Sequence, residues 1–139
     1  MNSFRLDIIT PTRSAFSQEV EHLLVPTPAG YIEVLAHHVA LFSALSEGEL
    51  KITAGNKQYF LAIGGGFMEV TKGMVSVLVS RAAHADELNE AEIKKAQQEA
   101  KEALTKYKKG IERAQAQTIL RRSLLELKVS RHRRSISIS

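Results

Sequence analysis

The chain contains no cysteine. Disulfides, thiol nucleophiles and zinc sites built on thiolates are therefore excluded, and a reducing compartment is compatible with it. It also lacks any apolar run approaching the roughly 20 residues that a membrane-spanning helix needs. Its start, Met1-Asn2-Ser3-Phe4, lacks the basic-then-apolar order of an export signal. The expectation is a chain that neither spans a membrane nor carries a standard signal. A third scarcity is local: beyond Arg81 there is no proline, and Gly110 is the sole glycine. Turn chemistry thus ends at about that point.

What is present suffices for folding. With 139 residues, 44% hydrophobic and 24% charged, the chain can bury a real core, as one ordinary domain or a small domain with an appendage. The net charge of +4 is unevenly spread. Residues 1–86 hold six Lys and Arg against eight Asp and Glu, a balance of −2, whereas residues 87–139 hold thirteen against seven, a balance of +6. The basic character belongs to the C-terminal part, which suggests an acidic partner for it.

The first part reads as short strands separated by turns. Phe4, Leu6 and Ile8 alternate with Arg5 and Asp7 until Pro11 ends the run. A second apolar stretch, residues 20–25, is expected to stop at the turn Pro26-Thr27-Pro28-Ala29-Gly30. Two hairpins follow, one about Gly55-Asn56 and one about Lys72-Gly73, each between runs rich in β-branched and aromatic residues. The expected fold class is α+β: an antiparallel β-sandwich over residues 1–86, then an antiparallel two-helix hairpin with a basic tail over residues 87–139.

Ala, Glu, Lys, Gln and Leu dominate the second part, all strong helix formers. Asn89 with Glu92 three residues on has the layout of a capping box, so the first helix is expected to start there. Ile93, Ala96, Ala100, Ala103, Leu104 and Tyr107 make one narrow apolar stripe, and Ala114, Gln117, Leu120, Leu124 and Leu127 a second. Gly110 after Lys108-Lys109 suits a helix C-terminus. One continuous helix through Gly110 is the alternative, at a cost of about 1 kcal/mol relative to Ala. From Arg131 the chain has no periodic core face and reads as a frayed end.

No constellation of side chains reads as catalytic. Gly64-Gly65-Gly66 is followed by the strand-like Phe67-Met68-Glu69-Val70, where a phosphate loop would lead into a helix, so the glycines mark a bulge or a close approach of another backbone. His37 and His38 are adjacent, which on a strand points them to opposite faces. With no Cys, Asp or Glu at ligand spacing they read as hydrogen-bonding loop residues, and no metal or cofactor is expected. The last nineteen residues hold six Lys and Arg and one acid, Glu126, more bias than solubility requires. A nucleic-acid-binding arm is one reading of that bias. It is disfavoured because the strand segments carry no run of aromatics for base stacking.

Several segments together carry a resemblance along essentially the whole chain: Ile9-Thr10-Pro11-Thr12-Arg13, then His38-Val39-Ala40-Leu41-Phe42-Ser43-Ala44-Leu45 with Gly48, then Gly65-Gly66-Phe67-Met68-Glu69-Val70 and Val75-Ser76-Val77-Leu78. They resemble the ε subunit of F-type ATP synthase, bacterial or plastid, as does the order of β body, Ala-rich helix and basic helix. The resemblance implies a non-catalytic rotor subunit, peripheral on the cytoplasmic face of a bacterial inner membrane or on a plastid thylakoid. Its sandwich would join the γ subunit to the c-ring, with Glu33, His37, His38 and Leu41 at that contact. Its hairpin would be a movable arm that meets the α and β subunits and obstructs ATP hydrolysis. Arg113, Arg121, Arg122, Lys128, Arg131, Arg133 and Arg134 would carry the arm's charge, with no nucleic acid as partner.

The chain departs from the family pattern in three places. Relatives that bind ATP on this subunit share an acidic residue, an Arg three positions later and an Ala after it, where this chain has Asn89, Glu92 and Ile93. A glutamate in place of the arginine removes a phosphate partner and adds repulsion, so no nucleotide site is implied, although Arg122 still aligns. Ala36-His37 stands where the family usually has Pro-Gly, and Glu33 where it often has Gly. Residues 131–139 extend the arm with further positive charge.

Overall fold

A computed structural model describes the backbone of residues 2–138 and the side chains of residues 2–132. The chain forms two compact units, Met1–His84 and Ala85–Ser139. Ten strands make up the first: β1 (Phe4–Ile9), β2 (Ser14–Val20), β3 (His22–Thr27), β4 (Gly30–Leu35), β5 (Leu41–Leu45), β6 (Gly48–Ala54), β7 (Lys57–Ile63), β8 (Gly66–Thr71), β9 (Met74–Val79) and β10 (Ala82–His84). They form two five-stranded sheets, ordered β2-β1-β9-β8-β5 and β10-β7-β6-β3-β4. The sandwich expected from the sequence is present. All pairs are antiparallel except β1 with β9, which runs parallel.

The core follows from the alternation. Phe4, Leu6 and Ile8 are buried while Arg5 and Ile9 face outward. Leu6, Ile8, Leu23, Leu50, Ile52 and Leu61 have no exposed surface. Each such side chain contributes about 1.5–3 kcal/mol by leaving water. Thr71 pairs with Met74 and Ala54 with Lys57, leaving the two-residue loops Lys72-Gly73 and Gly55-Asn56. Gly55 (φ 62°) and Gly73 (φ 76°) take the left-handed conformation these turns require.

The glycine run has the second of its expected roles. At Gly64-Gly65 the chain leaves one sheet for the other, and at Ser80-Arg81 it crosses back alongside. The two crossings are tied by Gly64 N–H to Arg81 O at 3.0 Å and Ser80 N–H to Gly65 O at 3.0 Å. A methyl group on Gly66 would overlap the Leu78 carbonyl oxygen. The expected turn at residues 26–30 is shorter than its prolines suggest, because β3 continues through Pro26 and Thr27 and only Pro28-Ala29 turns. Pro26 is tolerated in the strand because β6 pairs with β3 only as far as Leu24.

The second unit holds a 3-10 turn (Ala85–Glu87) and two helices, α1 (Glu90–Lys106) and α2 (Ile111–Ile138). Asn89 caps α1, its side chain accepting from Glu92 N–H at 3.1 Å. The reciprocal bond from the Glu92 side chain is not found among the described residues. The helices pack as a hairpin, so the continuous-helix alternative does not hold. Gly110 differs from its expected place: α1 ends at its C-cap Tyr107, and Gly110 (φ 93°) instead begins α2, accepting from Ala114 N–H at 3.1 Å. After Gly110 no glycine or proline interrupts the run, and helical backbone continues past Arg131, where a frayed end was expected. The expectations placed on the side chains of Arg133 and Arg134 lie outside the described residues.

The apolar stripe of α1 is as read from sequence, with Ile93 and Ala100 buried. That of α2 is rotated by about one residue. Ala116, Ser123, Leu127 and Ser130 are buried, whereas Ala114 and Gln117 are exposed and Leu124 is 53% exposed. Serine can occupy the buried face because its hydroxyl donates back to its own helix: Ser123 to Ile119 O at 2.7 Å and Ser130 to Leu127 O at 2.9 Å.

Candidate functional site

Three features of the surface stand out. The first is apolar. On the outer face of the first sheet, Ile9, Leu78, Phe67 and Ala44 lie in register across β1, β9, β8 and β5. Ile9 is 43%, Leu78 50% and Phe67 52% exposed, and Phe42, 67% exposed, stacks on Phe67 with ring centroids 5.5 Å apart. Each sits on the solvent phase of its strand, in line with polar neighbours such as Ser76 and Glu69. A contiguous apolar row in that phase marks a surface built to be covered. Sequence reading missed it, although the signal was there: with Met68 and Val70 inward, Phe67 must point outward.

The second feature is the loop between β4 and β5, residues 36–40. His37 has φ 66° and makes no hydrogen bond or ion pair among the described residues. The backbone here turns through the left-handed region, which explains why glycine suits position 37 and why His37 is held there at some conformational cost. His38 Nδ1 bonds the Val39 carbonyl at 2.8 Å. The carbonyl can only accept, so Nδ1 carries the proton. The two histidines are loop residues, as expected, yet they line one cleft, because the opposite-face argument applies only to a strand. Glu33 and Leu41, grouped with them from sequence, stand on the strands that flank this loop and do not line the cleft. Glu33 on the edge strand β4 meets His22 Nε2 at 2.6 Å, and half-buried Leu41 opens β5 against the core. No group of three or more potential metal ligands occurs among the described residues.

The third feature is the basic helix α2. Arg121, Arg122, Lys128 and Arg131 are exposed, and Arg122 Nε lies 3.5 Å from Glu126 one turn on. Arg113 has a different task. Its guanidinium donates to the carbonyls of Leu104 at 3.0 Å and Tyr107 at 3.1 Å, closing the C-terminal end of α1. At the start of α1, the Asn89 side chain accepts from the Glu92 backbone N–H and Ile93 is buried.

Fold and surface together define a β-sandwich that presents an apolar face and carries a two-helix basic arm, a protein organised for contact with other chains. Residues 3–85 match the family model described as ATP synthase, Delta/Epsilon chain, beta-sandwich domain. The chain is 38% identical over 135 residues to an ATP synthase epsilon chain of Dehalococcoides mccartyi, covering 96% of both chains. It is 33% identical over 131 residues to that of Herpetosiphon aurantiacus, covering 94% of this chain and 96% of the relative. The chain belongs to the ATP synthase epsilon chain family. Its fold is similar to a chain in the mitochondrial ATP synthase of Euglena gracilis, solved with OSCP, F1 and c-ring, with a TM-score of 0.67 at 20% identity over 96% of this chain and 81% of that one. A chain of the Tetrahymena thermophila mitochondrial ATP synthase, from a structure of its central stalk and c-ring, gives a TM-score of 0.52 at 15% identity over 60% of this chain and 68% of that one.

Proposed function

We propose that this chain is a non-catalytic rotor subunit of an ATP synthase, joining the γ subunit to the c-ring through its sandwich and restraining ATP hydrolysis through its helical arm. The observation that carries the reading is the in-register apolar row Ile9, Leu78, Phe67 and Ala44 with Phe42 beside it, a surface that favours a permanent partner over water. The γ subunit is the partner assigned to it. The polar edge and loop residues Glu33, His37 and His38, with Leu41, are assigned to the c-ring contact. Family membership and the central-stalk neighbour support both assignments. The subunit would lie peripheral on the cytoplasmic face of a bacterial plasma membrane, or on a plastid thylakoid.

Supporting the arm's role is its exposed charge at Arg121, Arg122, Lys128 and Arg131, suited to acidic surfaces on the α and β subunits. The seam between α1 and α2 is consistent with movement: Ala96, Ala100, Ala103 and Ala116, with Tyr107 and Ile119, line an open cleft of about 310 Å³ there. A seam so lightly filled opens at modest cost, and opening is then a shift of population toward whichever arrangement the neighbouring subunits bind better. With Asn89 capping α1, Ile93 buried and a glutamate at position 92 where ATP-binding relatives carry an arginine, ATP held by this subunit is not the assigned trigger.

Reconstitution of the complex tests both halves. Phe67→Asp should prevent stable incorporation of the sandwich, and removal of residues 87–139 should raise the ATP hydrolysis rate. Normal incorporation of Phe67→Asp would end the apolar-face assignment, and an unchanged rate after truncation would end the inhibitory one.

A further inference from the structure

Three segments distant in sequence enclose a cleft of about 340 Å³ at one end of the sandwich: the residues entering β1, the β4–β5 loop and the β8–β9 turn. Its floor is apolar, with Phe4, Val70 and Val75 buried. Its rim carries His37, His38 and Lys72, and no acidic residue lines it. His37 and Lys72 make no hydrogen bond or ion pair among the described residues. His38 Nδ1 is committed to the Val39 carbonyl at 2.8 Å, so its remaining valence is at Nε2, which becomes a donor when the ring is protonated. His37 stands at φ 66°, where a glycine would be unstrained. A side chain retained against its backbone preference, at the mouth of a cavity, points to a use for that side chain.

We propose that in the free chain, where no c-ring covers the β4–β5 loop, this cleft binds a phosphate group attached to an apolar moiety, with Lys72 and the His37 and His38 rings holding the phosphate oxygens while the apolar floor receives the rest of the molecule. The volume lies within the range of small-ligand pockets, and one lysine supplies charge beside two imidazole rings where no carboxylate opposes it. Other charged groups on the surrounding elements are engaged. Arg5 on β1 lies 3.5 Å from Asp7, Glu19 on β2 accepts from Ser3 Oγ at 3.0 Å, and Glu33 on β4 meets His22. Glu69 on β8 faces outward beside Phe42, on the side of the sheet away from Val70. The phosphate can come from a phospholipid headgroup or from a soluble ester, and the same contacts serve either.

The test uses the full 139-residue chain. Titration with inorganic phosphate, followed by NMR, should produce saturable shifts at the Lys72 and Gly73 amides and the His37 and His38 rings. Lys72→Glu should weaken that affinity at least tenfold. His37→Gly separates a binding role from a structural one, because it relieves the left-handed strain: it should raise Tm and still weaken phosphate binding. Sedimentation with phosphatidylglycerol and with phosphatidylcholine vesicles identifies the source. Loss of phosphatidylglycerol binding in Lys72→Glu assigns the site to lipid, and phosphate binding with vesicle sedimentation unaltered by Lys72→Glu assigns it to a soluble ester. Absence of saturable shifts, equal affinity in Lys72→Glu, or a His37→Gly variant that gains Tm with undiminished phosphate affinity would each overturn the proposal.

Discussion

In the sandwich, Leu6, Ile8, Leu50 and Ile52 interlock with no exposed surface, whereas the helical unit buries fewer large side chains, Ile93, Leu127 and Val129, together with the small Ala100, Ala116, Ser123 and Ser130. A fully buried leucine or isoleucine contributes about 1.5–3 kcal/mol, and an alanine methyl group under about 1 kcal/mol. The sandwich therefore has stability to spare for a fixed platform. The hairpin depends on terminal devices as much as on area: the Asn89 cap at one end of α1 and the Arg113 guanidinium at the other. Two units of one chain thus differ in how readily each can rearrange, and the unit of smaller core is the one that carries the positive charge. A firm body with a less densely packed arm is what the proposed inhibitory role would need.

That comparison can be broken most severely in the core. Leu50→Ala should cost about 2–5 kcal/mol, seen as a large drop in the denaturant midpoint of the strand-rich transition, because a closed core collapses only partly around a lost isobutyl group. A loss below about 1 kcal/mol would place the two units on an equal footing. Arg113→Met should have a smaller and local effect, about 1 kcal/mol, by leaving the Leu104 and Tyr107 carbonyls to water. Amide exchange should then quicken in the last turn of α1 and stay unchanged in β6 and β7. Smallest of all is Ser123→Ala, expected within about 0.5 kcal/mol of zero by thermal unfolding, since the hydroxyl bonds only its own helix and alanine is the better helix former. A loss well above that would show the seam to be tighter than its alanines suggest.

Much of the fold was legible before the structure. Alternation in residues 4–8, the two glycine-bearing hairpins and the cap at Asn89 all lie where period and turn chemistry place them, because each is decided by neighbours in sequence. Pro26 misled because a proline within a strand is permitted only when one side is unpaired, and pairing is a property of the sheet. The buried face of α2 misled because Ser123 and Ser130 look polar in a sequence, while in a helix their hydroxyls are satisfied locally.

The site was less legible than the fold. Of the residues expected at a subunit contact, His37 and His38 line one cleft, while Glu33 meets His22 and Leu41 packs against the core. Arg113 was read with the arm's exposed charge and instead closes α1. By itself the sequence determined the division into a strand-rich part and a basic helical part, along with most strand and helix positions, since those depend on local propensity and period. Only the tertiary structure decided that Ile9, Leu78, Phe67 and Ala44 form one row across four strands, that the glycine run lies beside Ser80-Arg81, and that Lys72 shares a cleft with His37. The physical reason is that strand order and register bring together residues tens of positions apart, and neither is written in the spacing along one strand.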